Sequence, residues 1–455
     1  MTSPTSFTPV SFLMFVTLFM MAISTAQSAT QPPAKEAPER IGPPERAKVM
    51  ARKTTSGARY LQSRYGISAQ EAQERVDLER HVAALSAKMR QAADSTYSGI
   101  TIDHEPVYRI TVSFTEQKDA NTFRESIDPT LRRYINIRFV KLNRDQISAG
   151  MDELLTALAS ADPTRFVIAF DERNSKFLVK FDDDAIGSKI RSLLPAHLQS
   201  DTIIRKEPIP KTQAAPFGLQ TGDSIYGGYT SYDYQNPDYK GCTFSWPVRW
   251  GTKTGILTAG HCGKDNPTRN YFDGSNGHWV QLPSPTFIRN DPNTKYDYQF
   301  HETTGYTTNG WIYGENLTGR PEFSSYEWFN LHALLGYYDQ TVGMVMCKSG
   351  RTTGITCGEI TNGWYTWNGA KGFIEYGKRD AWSKNLSDPG DSGGATFMSP
   401  DLMNNVYGYG IHVAGSDGQG CELYGTCTAV SMPIDYVDDH YPLAVMLNAY
   451  IPYQP

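Results

Sequence analysis

The stretch Asp388-Pro389-Gly390-Asp391-Ser392-Gly393-Gly394 sets a serine between glycines on both sides. A serine hydroxyl attacks a carbonyl group only when a base removes its proton, and the attack creates an oxyanion that needs N–H donors. Glycine at position 390 permits a backbone turn that a Cβ would forbid, so the amides of Gly390 and Ser392 can point at one spot. The pattern therefore favours a nucleophile turn, although a glycine-rich surface turn has the same composition.

A second motif, Thr258-Ala259-Gly260-His261-Cys262, lies upstream and follows an apolar run typical of a strand. A lone histidine is more often a structural side chain than a catalytic one. Together, however, the two motifs resemble those of the chymotrypsin-like serine proteases. The resemblance implies that His261 is the general base and Ser392 the nucleophile.

The composition predicts a globular chain of two domains. Its 455 residues exceed the size of one ordinary domain, and 12% of them are aromatic, which suits a packed core. From Leu219 onward there are 14 Lys+Arg and 23 Asp+Glu, a net charge of −9, whereas the preceding part has 29 and 25, a net charge of +4. The two parts can attract each other electrostatically, and nothing in this balance predicts a nucleic-acid partner.

The N-terminus predicts an exported protein. The apolar run Phe12–Ile23 has the length of a signal-peptide core, and Ala26-Gln27-Ser28 fits the small-x-small cleavage rule, although no Lys or Arg precedes the run. All six cysteines follow residue 240, which suggests three disulfides formed in an oxidising compartment. We therefore predict a signal peptide over residues 1–28, secretion, and no membrane association once the signal is removed.

Hydrophobic periodicity predicts a small α+β domain over residues 65–206, after a proline-rich flexible lead-in at 29–64. The predicted helices cover 68–89, 147–158 and 185–194, and the predicted strands cover 108–114, 135–139 and the hairpin 166–181. Prolines mark residues 207–218 as a linker. From 219 to 455, short apolar runs and recurrent turn residues favour an all-β barrel or sandwich.

Further stretches resemble one branch of the protease family, the secreted bacterial enzymes of the streptogrisin and α-lytic protease type. They are Met346–Gly354 with Cys357-Gly358, Gly222–Tyr226, Tyr65–Ala72 and Asp103–Pro106. The resemblance implies an all-β double β-barrel (chymotrypsin-like) enzyme at 219–455, preceded by an α+β pro-domain. It also implies that the pro-region aids folding and inhibits the enzyme until cleavage near residues 218–222. The mature product is expected to be a monomer that acts on polypeptide substrates.

The resemblance assigns further roles around the serine. The acid that orients His261 should lie between it and Ser392, and Asp297 fits best because it stands at the edge of an aromatic strand, whereas Asp273 and Asp291 lie in turn-like contexts. The amides of Gly390 and Ser392 would form the oxyanion hole. Many relatives place a serine that supports the acid where this chain has Val413.

Asp391 beside the nucleophile is expected to turn inward and to need a cationic partner, because an unpaired buried charge is costly. In this branch the partner is the basic residue after the mid-chain cysteine, here Lys348. The alternative is that Lys348 lies in solvent.

The resemblance pairs Cys242 with Cys262 and Cys347 with Cys357. The remaining bridge of the branch begins at a cysteine before the serine motif, and Leu386-Ser387-Asp388-Pro389 contains none, so Cys421 is expected to pair with Cys427 and to fasten the pocket wall differently. The cysteine spacing does not suggest zinc, and we expect neither a metal nor a cofactor.

The stretch Gly410–Ser416 resembles the strand that pairs with substrate, through residues such as Gly415, and lines the first specificity pocket. His412 implies a preference for Glu or Gln, since an imidazole can donate a hydrogen bond to a carboxylate or amide oxygen, and Ser387 could add a second donor. A histidine packed against the barrel is the alternative. Leu386 stands where trypsin-like relatives carry an acid, which argues against Lys or Arg preference.

Two other functions compete with a serine endopeptidase. Gly390-x-Ser392-x-Gly394 also fits the nucleophile elbow of an α/β-hydrolase esterase. That fold, however, needs the catalytic residues in the chain order serine, acid, histidine, and strands that alternate with helices. A catalytically inactive, protease-like binding module is the non-enzymatic alternative.

Overall fold

The computed structural model describes residues 54–91, 96–212, 230–231, 241–263, 269–273, 278–282, 284–290, 294–303, 310–315, 326–377, 386–401, 404–416, 427–438 and 443–445. All of them belong to one unit, Glu39–Pro455. The predicted signal peptide, most of the lead-in, the expected cleavage region at 218–222, Asp291 and Cys421 lie outside the described residues. Below, residues 54–212 are called the N-terminal region and residues 241–445 the barrel region.

The helices, in chain order, are α1 (Ser56–Tyr65), α2 (Ala69–Gln91), α3 (Gln117–Ser126), α4 (Pro129–Arg132), α5 (Arg144–Ala157), α6 (Asp184–Leu193) and α7 (Asp435–Asp438). The strands are β1 (Tyr97–Asp103), β2 (Arg109–Phe114), β3 (Ile135–Phe139), β4 (Phe166–Asp171), β5 (Lys176–Phe181), β6 (Thr202–Lys206), β7 (Lys211–Thr212), β8 (Thr230–Ser231), β9 (Cys242–Thr243), β10 (Pro247–Trp250), β11 (Lys253–Thr258), β12 (Arg269–Asp273), β13 (His278–Leu282), β14 (Phe287–Asn290), β15 (Asp297–Glu302), β16 (Trp311–Glu315), β17 (Tyr326–Leu334), β18 (Val345–Gly350), β19 (Gly354–Trp367), β20 (Ala370–Gly377), β21 (Ala395–Met398), β22 (Asn405–Gly415), β23 (Thr428–Pro433) and β24 (Leu443–Val445).

Helix α1 lies inside the segment predicted to be a flexible lead-in, so the structure corrects that boundary. The side chain of Thr55 accepts a hydrogen bond from the amide of Ala58 and caps the first turn. Gly66, with φ of 65°, ends the helix and returns its amide to the carbonyl of Gln62. These caps define the helix more than its weak apolar pattern does.

The periodic segments of the N-terminal region form the predicted elements. Helices α2, α5 and α6 and strands β2 and β3 lie where the spacing places them, and β4 and β5 form the predicted hairpin. Strands β1, β2 and β3 make one sheet, with β1·β2 antiparallel and β2·β3 parallel. Strands β4, β5 and β6 lie in another sheet, against which α5 packs so closely that a Cβ on Gly150 would lie 2.2 Å from the ring of Phe177.

The described part of the barrel region is predominantly β, as the sequence predicts. Strands β22, β21, β18, β19, β20 and β23 pair in that order, and β23 pairs again with β22, so this sheet closes on itself. A second, five-stranded sheet has the order β14-β15-β11-β10-β24. The candidate catalytic residues lie beside both sheets. Asp297 begins β15 and His261 follows β11 in the five-stranded sheet, whereas Ser392 lies three residues before β21 of the closed sheet.

Two strand pairings join the N-terminal region to the closed sheet. Strand β4 pairs with β19 through Ala169 and Tyr365, so that β4, β5 and β6 extend the barrel sheet. Strand β7, which lies in the predicted linker, pairs antiparallel with the end of β22, where Lys211 faces Gly415. The described part of that linker therefore contains a short paired strand.

Candidate active site

His261 lies in a 3₁₀ turn that directly follows strand β11. A disulfide between Cys242 and Cys262 ties this turn to strand β9. Gly260 is required by close packing, since a Cβ there would lie 2.1 Å from the carbonyl oxygen of Arg289. The turn is therefore held on both sides of the histidine.

Asp297 begins strand β15 and holds His261 at two points. Its Oδ1 accepts the backbone N–H of His261 at 2.8 Å, and its Oδ2 lies 2.7 Å from the ring Nδ1. Because Nδ1 faces a carboxylate, it carries the ring proton of the neutral imidazole and Nε2 is the basic nitrogen. Nε2 is buried and has no hydrogen-bond partner among the residues that the structure describes. The pair can therefore serve as an oriented base.

Ser392 lies in a turn that two glycines in the left-handed region make possible, Gly390 with φ of 107° and Gly393 with φ of 89°. A Cβ on Gly393 would lie 2.1 Å from the carbonyl oxygen of Thr243. The amide of Thr243 in turn donates to the carbonyl of Ser392 at 2.7 Å. Since Thr243 follows Cys242, the serine turn is anchored to the same segment as the histidine turn.

The hydroxyl of Ser392 donates to the carbonyl of Val413 at 3.4 Å, which is a long hydrogen bond. Catalytic hydrogen bonds are often long in unliganded sites and tighten with substrate. The oxyanion-hole role of the Gly390 and Ser392 amides stays a prediction.

Asp391 turns inward and meets Lys348, and both side chains have no exposed surface. Lys348 Nζ lies 2.7 Å from Asp391 Oδ2, which also accepts from the hydroxyl of Thr353 at 2.6 Å. The backbone N–H groups of Thr352 and Thr353 donate to Oδ1. Burial alone would raise the pKa of Asp391, but Lys348 and these donors outweigh it and lower the pKa to about 2. The carboxylate is therefore ionised and fixes the turn beside Ser392.

His412 lies in β22 with no exposed surface, and its Nδ1 lies 3.1 Å from the hydroxyl of Tyr376 on β20. Burial, followed by the nearby charge of Lys348, lowers the pKa of His412 to about 3, so the ring is neutral at physiological pH. Sequence reasoning missed Tyr376. Only the β20 alternation could have indicated an inward side chain, and no local pattern indicates its histidine partner.

The other predicted pocket residues, Leu386, Ser387 and Gly415, lie in the barrel region. Ser387 and Leu386 are both buried, and the carbonyl of Leu386 accepts from the hydroxyl of Thr356 at 2.7 Å. Gly415 pairs with Ala429 on one side and with Lys211 on the other. The strand edge that the sequence analysis predicts to bind substrate is thus paired with β7.

The structure contains two of the expected disulfides, Cys242–Cys262 and Cys347–Cys357. Cys427 is also disulfide-bonded, and its expected partner Cys421 lies outside the described residues. Among the described residues, one cluster has metal-ligating side chains, Cys242, His261 and Cys262. Because both of its cysteines are in a disulfide, it offers no thiolate to a metal.

No family model matches the chain. Streptogrisin-C from Streptomyces griseus is 23% identical over 396 residues, which cover 86% of this chain and 72% of streptogrisin-C. Similar solved structures include a Nocardiopsis protease (17% identity, 49% of this chain, 99% of that chain, TM-score 0.36) and Thermobifida fusca protease A (19%, 50%, 100%, 0.35). Another is described as a glutamic acid specific serine protease with a histidine triad in substrate binding. It is 22% identical, the match covers 49% of this chain and 100% of that chain, and the TM-score is 0.35. At these TM-scores the structural overlays do not define the site.

Proposed function

We propose that this chain, a serine endopeptidase of the chymotrypsin-like fold that resembles the streptogrisin and α-lytic protease branch, is secreted as a proenzyme and uses His261, Asp297 and Ser392 as its catalytic residues. The observation that carries the proposal is the contact of 2.7 Å between His261 Nδ1 and Asp297 Oδ2, beside a serine turn anchored to the same segment. An oriented histidine next to a serine on a glycine turn is the arrangement that nucleophilic acyl transfer needs.

In the proposed mechanism, Ser392 rotates away from Val413 and gives its proton to Nε2 of His261 as it attacks the peptide carbonyl. Asp297 keeps Nδ1 protonated and stabilises the imidazolium that forms. The amides of Gly390 and Ser392 stabilise the oxyanion. The imidazolium then protonates the leaving amine, and water hydrolyses the acyl-enzyme with His261 again as base.

Proenzyme status is supported by strand β7. Lys211 and Thr212 pair antiparallel with Gly415 and Ala414, on the strand predicted to bind substrate. A chain that occupies this edge excludes substrate from it, so the N-terminal region would act as an inhibitor until it is removed. The pairing of β4 with β19 supports the proposed folding role, because it offers a template for a barrel strand.

A preference for Glu or Gln before the cut is supported by His412 and Tyr376. A neutral imidazole held by a tyrosine hydroxyl can present a hydrogen bond to a side-chain oxygen of substrate. Ser387 would be the second donor. Leu386, buried in the opposite wall, offers no charge to a substrate Lys or Arg.

Secretion is supported by the disulfides and by the sequence of the first 28 residues. No helix among the described residues is long and apolar enough to span a membrane. The inactive binding module is the alternative that the cleavage experiment below distinguishes. The all-β fold is wrong for the α/β-hydrolase alternative.

A peptide-library cleavage profile of the processed enzyme tests the proposal, with Ser392→Ala as the matched control. We expect cuts after Glu or Gln that disappear in Ser392→Ala and lose their preference in His412→Ala. Cuts after large apolar residues that do not change in His412→Ala would support the protease activity and reject the proposed Glu/Gln preference. No cleavage by processed protein would reject the protease and support the binding module.

A further inference from the structure

Helix α2 buries a carboxyl group against the barrel region. Glu79 has no exposed surface, and its Oε2 accepts the backbone N–H of Val345, the first residue of β18, at 3.1 Å. Its other oxygen, Oε1, is also buried and has no hydrogen-bond partner within the described part of the chain. A carboxylate with one neutral donor and no solvent is poorly stabilised, whereas a protonated carboxyl group tolerates such a place.

A second buried acid lies across from Glu79. Glu359 on β19 is 1% exposed and stands opposite Val345 in the register of β18 and β19. Its Oε1 accepts hydrogen bonds from the hydroxyls of Tyr60 and Tyr65 on α1. Two buried acids, one from the N-terminal region and one from the barrel region, therefore lie on either side of Val345, close enough for the charge of Glu359 to act on Glu79.

The groups around Glu79 favour its neutral form. Burial, and after it the charge of Glu359, raises the pKa of Glu79 well above its ordinary value, while the Val345 amide opposes the shift. Within the described residues, the titratable and charged groups around this pair of acids come from α1, α2, the barrel strands and the segment between β1 and β2. They are Asp77, Arg80, Tyr60, Tyr65, Tyr108, Tyr409 and His104, whose ring stacks on that of Tyr65. Of these, Arg80 is the cation, and its guanidinium lies over the ring of Tyr407, 6.0 Å from the centroid.

We propose that Glu79 and Glu359 form a pH-dependent latch, which holds the N-terminal region on the barrel region while Glu79 keeps its proton and weakens that contact as the pH rises. The inference rests on the proposed function, because it takes residues 54–212 to be the pro-region that cleavage separates from the barrel. Release of the N-terminal region from the barrel region would then be favoured at alkaline pH.

The direction of this pH dependence follows from proton linkage. The attached state binds the Glu79 proton more tightly than the separated state, in which the group returns to its ordinary pKa of 4.5. Attachment is therefore strongest below about pH 4.5, and its dissociation constant rises by up to about tenfold per pH unit above it. The rise ends once the pH exceeds the elevated pKa of the attached state.

Other contacts between the two regions pair opposite charges and supply a control. Lys180 on β5 lies 2.7 Å from Glu375 on β20, and both side chains are nearly buried. Against the opposing effect of burial, Glu375 and Glu207 raise the pKa of Lys180, so the charge of Lys180 strengthens attachment without giving it a pH slope between about pH 6 and 9. The double variant Lys180→Met/Glu375→Gln removes both charges and leaves no buried acid without a cation, so it should weaken attachment equally at each pH.

The first test follows release after processing. The full chain is allowed to cleave itself and is then blocked with an acylating inhibitor, and co-elution of the two fragments is measured from pH 5 to 9 at constant ionic strength. We expect retention that weakens as the pH rises from 6 to 8 in the wild type, by up to about tenfold per pH unit, a flatter profile in Glu79→Gln, and the wild-type slope in Lys180→Met/Glu375→Gln. A flat wild-type profile, or an unchanged slope in Glu79→Gln, would overturn the latch.

A second test needs no processing and separates the latch from the proenzyme proposal. In the intact chain carrying Ser392→Ala, the pH dependence of thermal unfolding is compared with and without Glu79→Gln. We expect the two curves to meet near pH 5 and the Glu79→Gln chain to be the more stable at pH 9. A constant difference at all pH values would reject the latch even if the chain processes normally. Failure to process, with the curves diverging as expected, would reject the proenzyme alone.

Discussion

Asp391 and Glu79 are both fully buried carboxyl groups, but their surroundings give them opposite charge states. Asp391 faces Lys348 at 2.7 Å and accepts three further hydrogen bonds from Thr352 and Thr353, which keep it ionised. Glu79 has one backbone amide as its donor, which is too little to offset burial and the charge of a second acid, so its pKa is raised and the protonated form is favoured. Burial raises the pKa in both cases, so the partner decides the outcome.

The difference corresponds to position in the fold. Asp391 lies within the barrel region, next to the serine turn, where a permanent ion pair fixes one backbone geometry. Glu79 lies at a contact that proteolysis is proposed to open, where a removable proton makes attachment depend on pH. A paired buried acid therefore stabilises a permanent structure, and an unpaired one is suited to a contact that must end.

Removal of the cation should have the largest effect. Lys348→Met would leave Asp391 charged and unpaired, at a cost of about 3–5 kcal/mol in the free energy of unfolding. The serine turn should distort and peptidase activity should fall with it. Denaturant unfolding and single-substrate kinetics of the processed enzyme would measure both effects.

The matched control is the double variant Lys348→Met/Asp391→Asn, which removes the orphaned charge. It should recover part of the stability that Lys348→Met loses. If the single variant unfolds within about 1 kcal/mol of the wild type, Asp391 is not held by this pair, and the contrast with Glu79 fails.

The stability of the protein at low pH should show a smaller effect than the one expected for Lys348→Met. Because the pKa of Asp391 falls from 3.8 to about 2 on folding, its contribution is complete above about pH 3.8 and disappears as the pH falls towards 2. The shift corresponds to about 2 kcal/mol. Unfolding of the wild type and Asp391→Asn should therefore converge at low pH, whereas wild type and Glu79→Gln should diverge at high pH. Parallel curves on the acid side would contradict the assignment.

The sequence predicts the turns that contain Ser392 and His261, because both residues lie in short motifs whose glycines and cysteines have local structural reasons; the catalytic roles stay a prediction. It also predicts α2 and the β4–β5 hairpin, since periodicity is a local property. It does not predict Glu79, which reads as one polar residue on a helix. The amide that binds it is 266 residues away in sequence, and only the folded chain brings the two together.

Tyr376 and helix α1 were missed for related reasons. The hydroxyl of Tyr376 meets a histidine from another strand, and no spacing rule joins β20 to β22 at that point. Helix α1 has few apolar residues in a helical pattern, and its ends depend on the Thr55 and Gly66 caps. The proline-rich sequence upstream therefore led to the prediction of a flexible segment in its place.

The smallest effect concerns a third buried titratable group, His412, whose neutral state depends on burial and neighbouring charge. Tyr376→Phe removes the hydroxyl that lies 3.1 Å from Nδ1. We expect kcat/KM for Glu and Gln substrates to fall about tenfold, the value of one hydrogen bond, and apolar substrates to be unaffected. Equal losses for all substrates would indicate a packing role for Tyr376 instead.

Covalent labelling tests the central claim most directly. The processed chain is treated with a fluorophosphonate probe, and the modified residue is identified by peptide mass spectrometry, with His261→Ala as control. The account predicts one phosphonylated residue, Ser392, and labelling that slows by at least a hundredfold in His261→Ala. Absence of label at Ser392 in properly processed protein, or labelling that does not depend on His261, would contradict it.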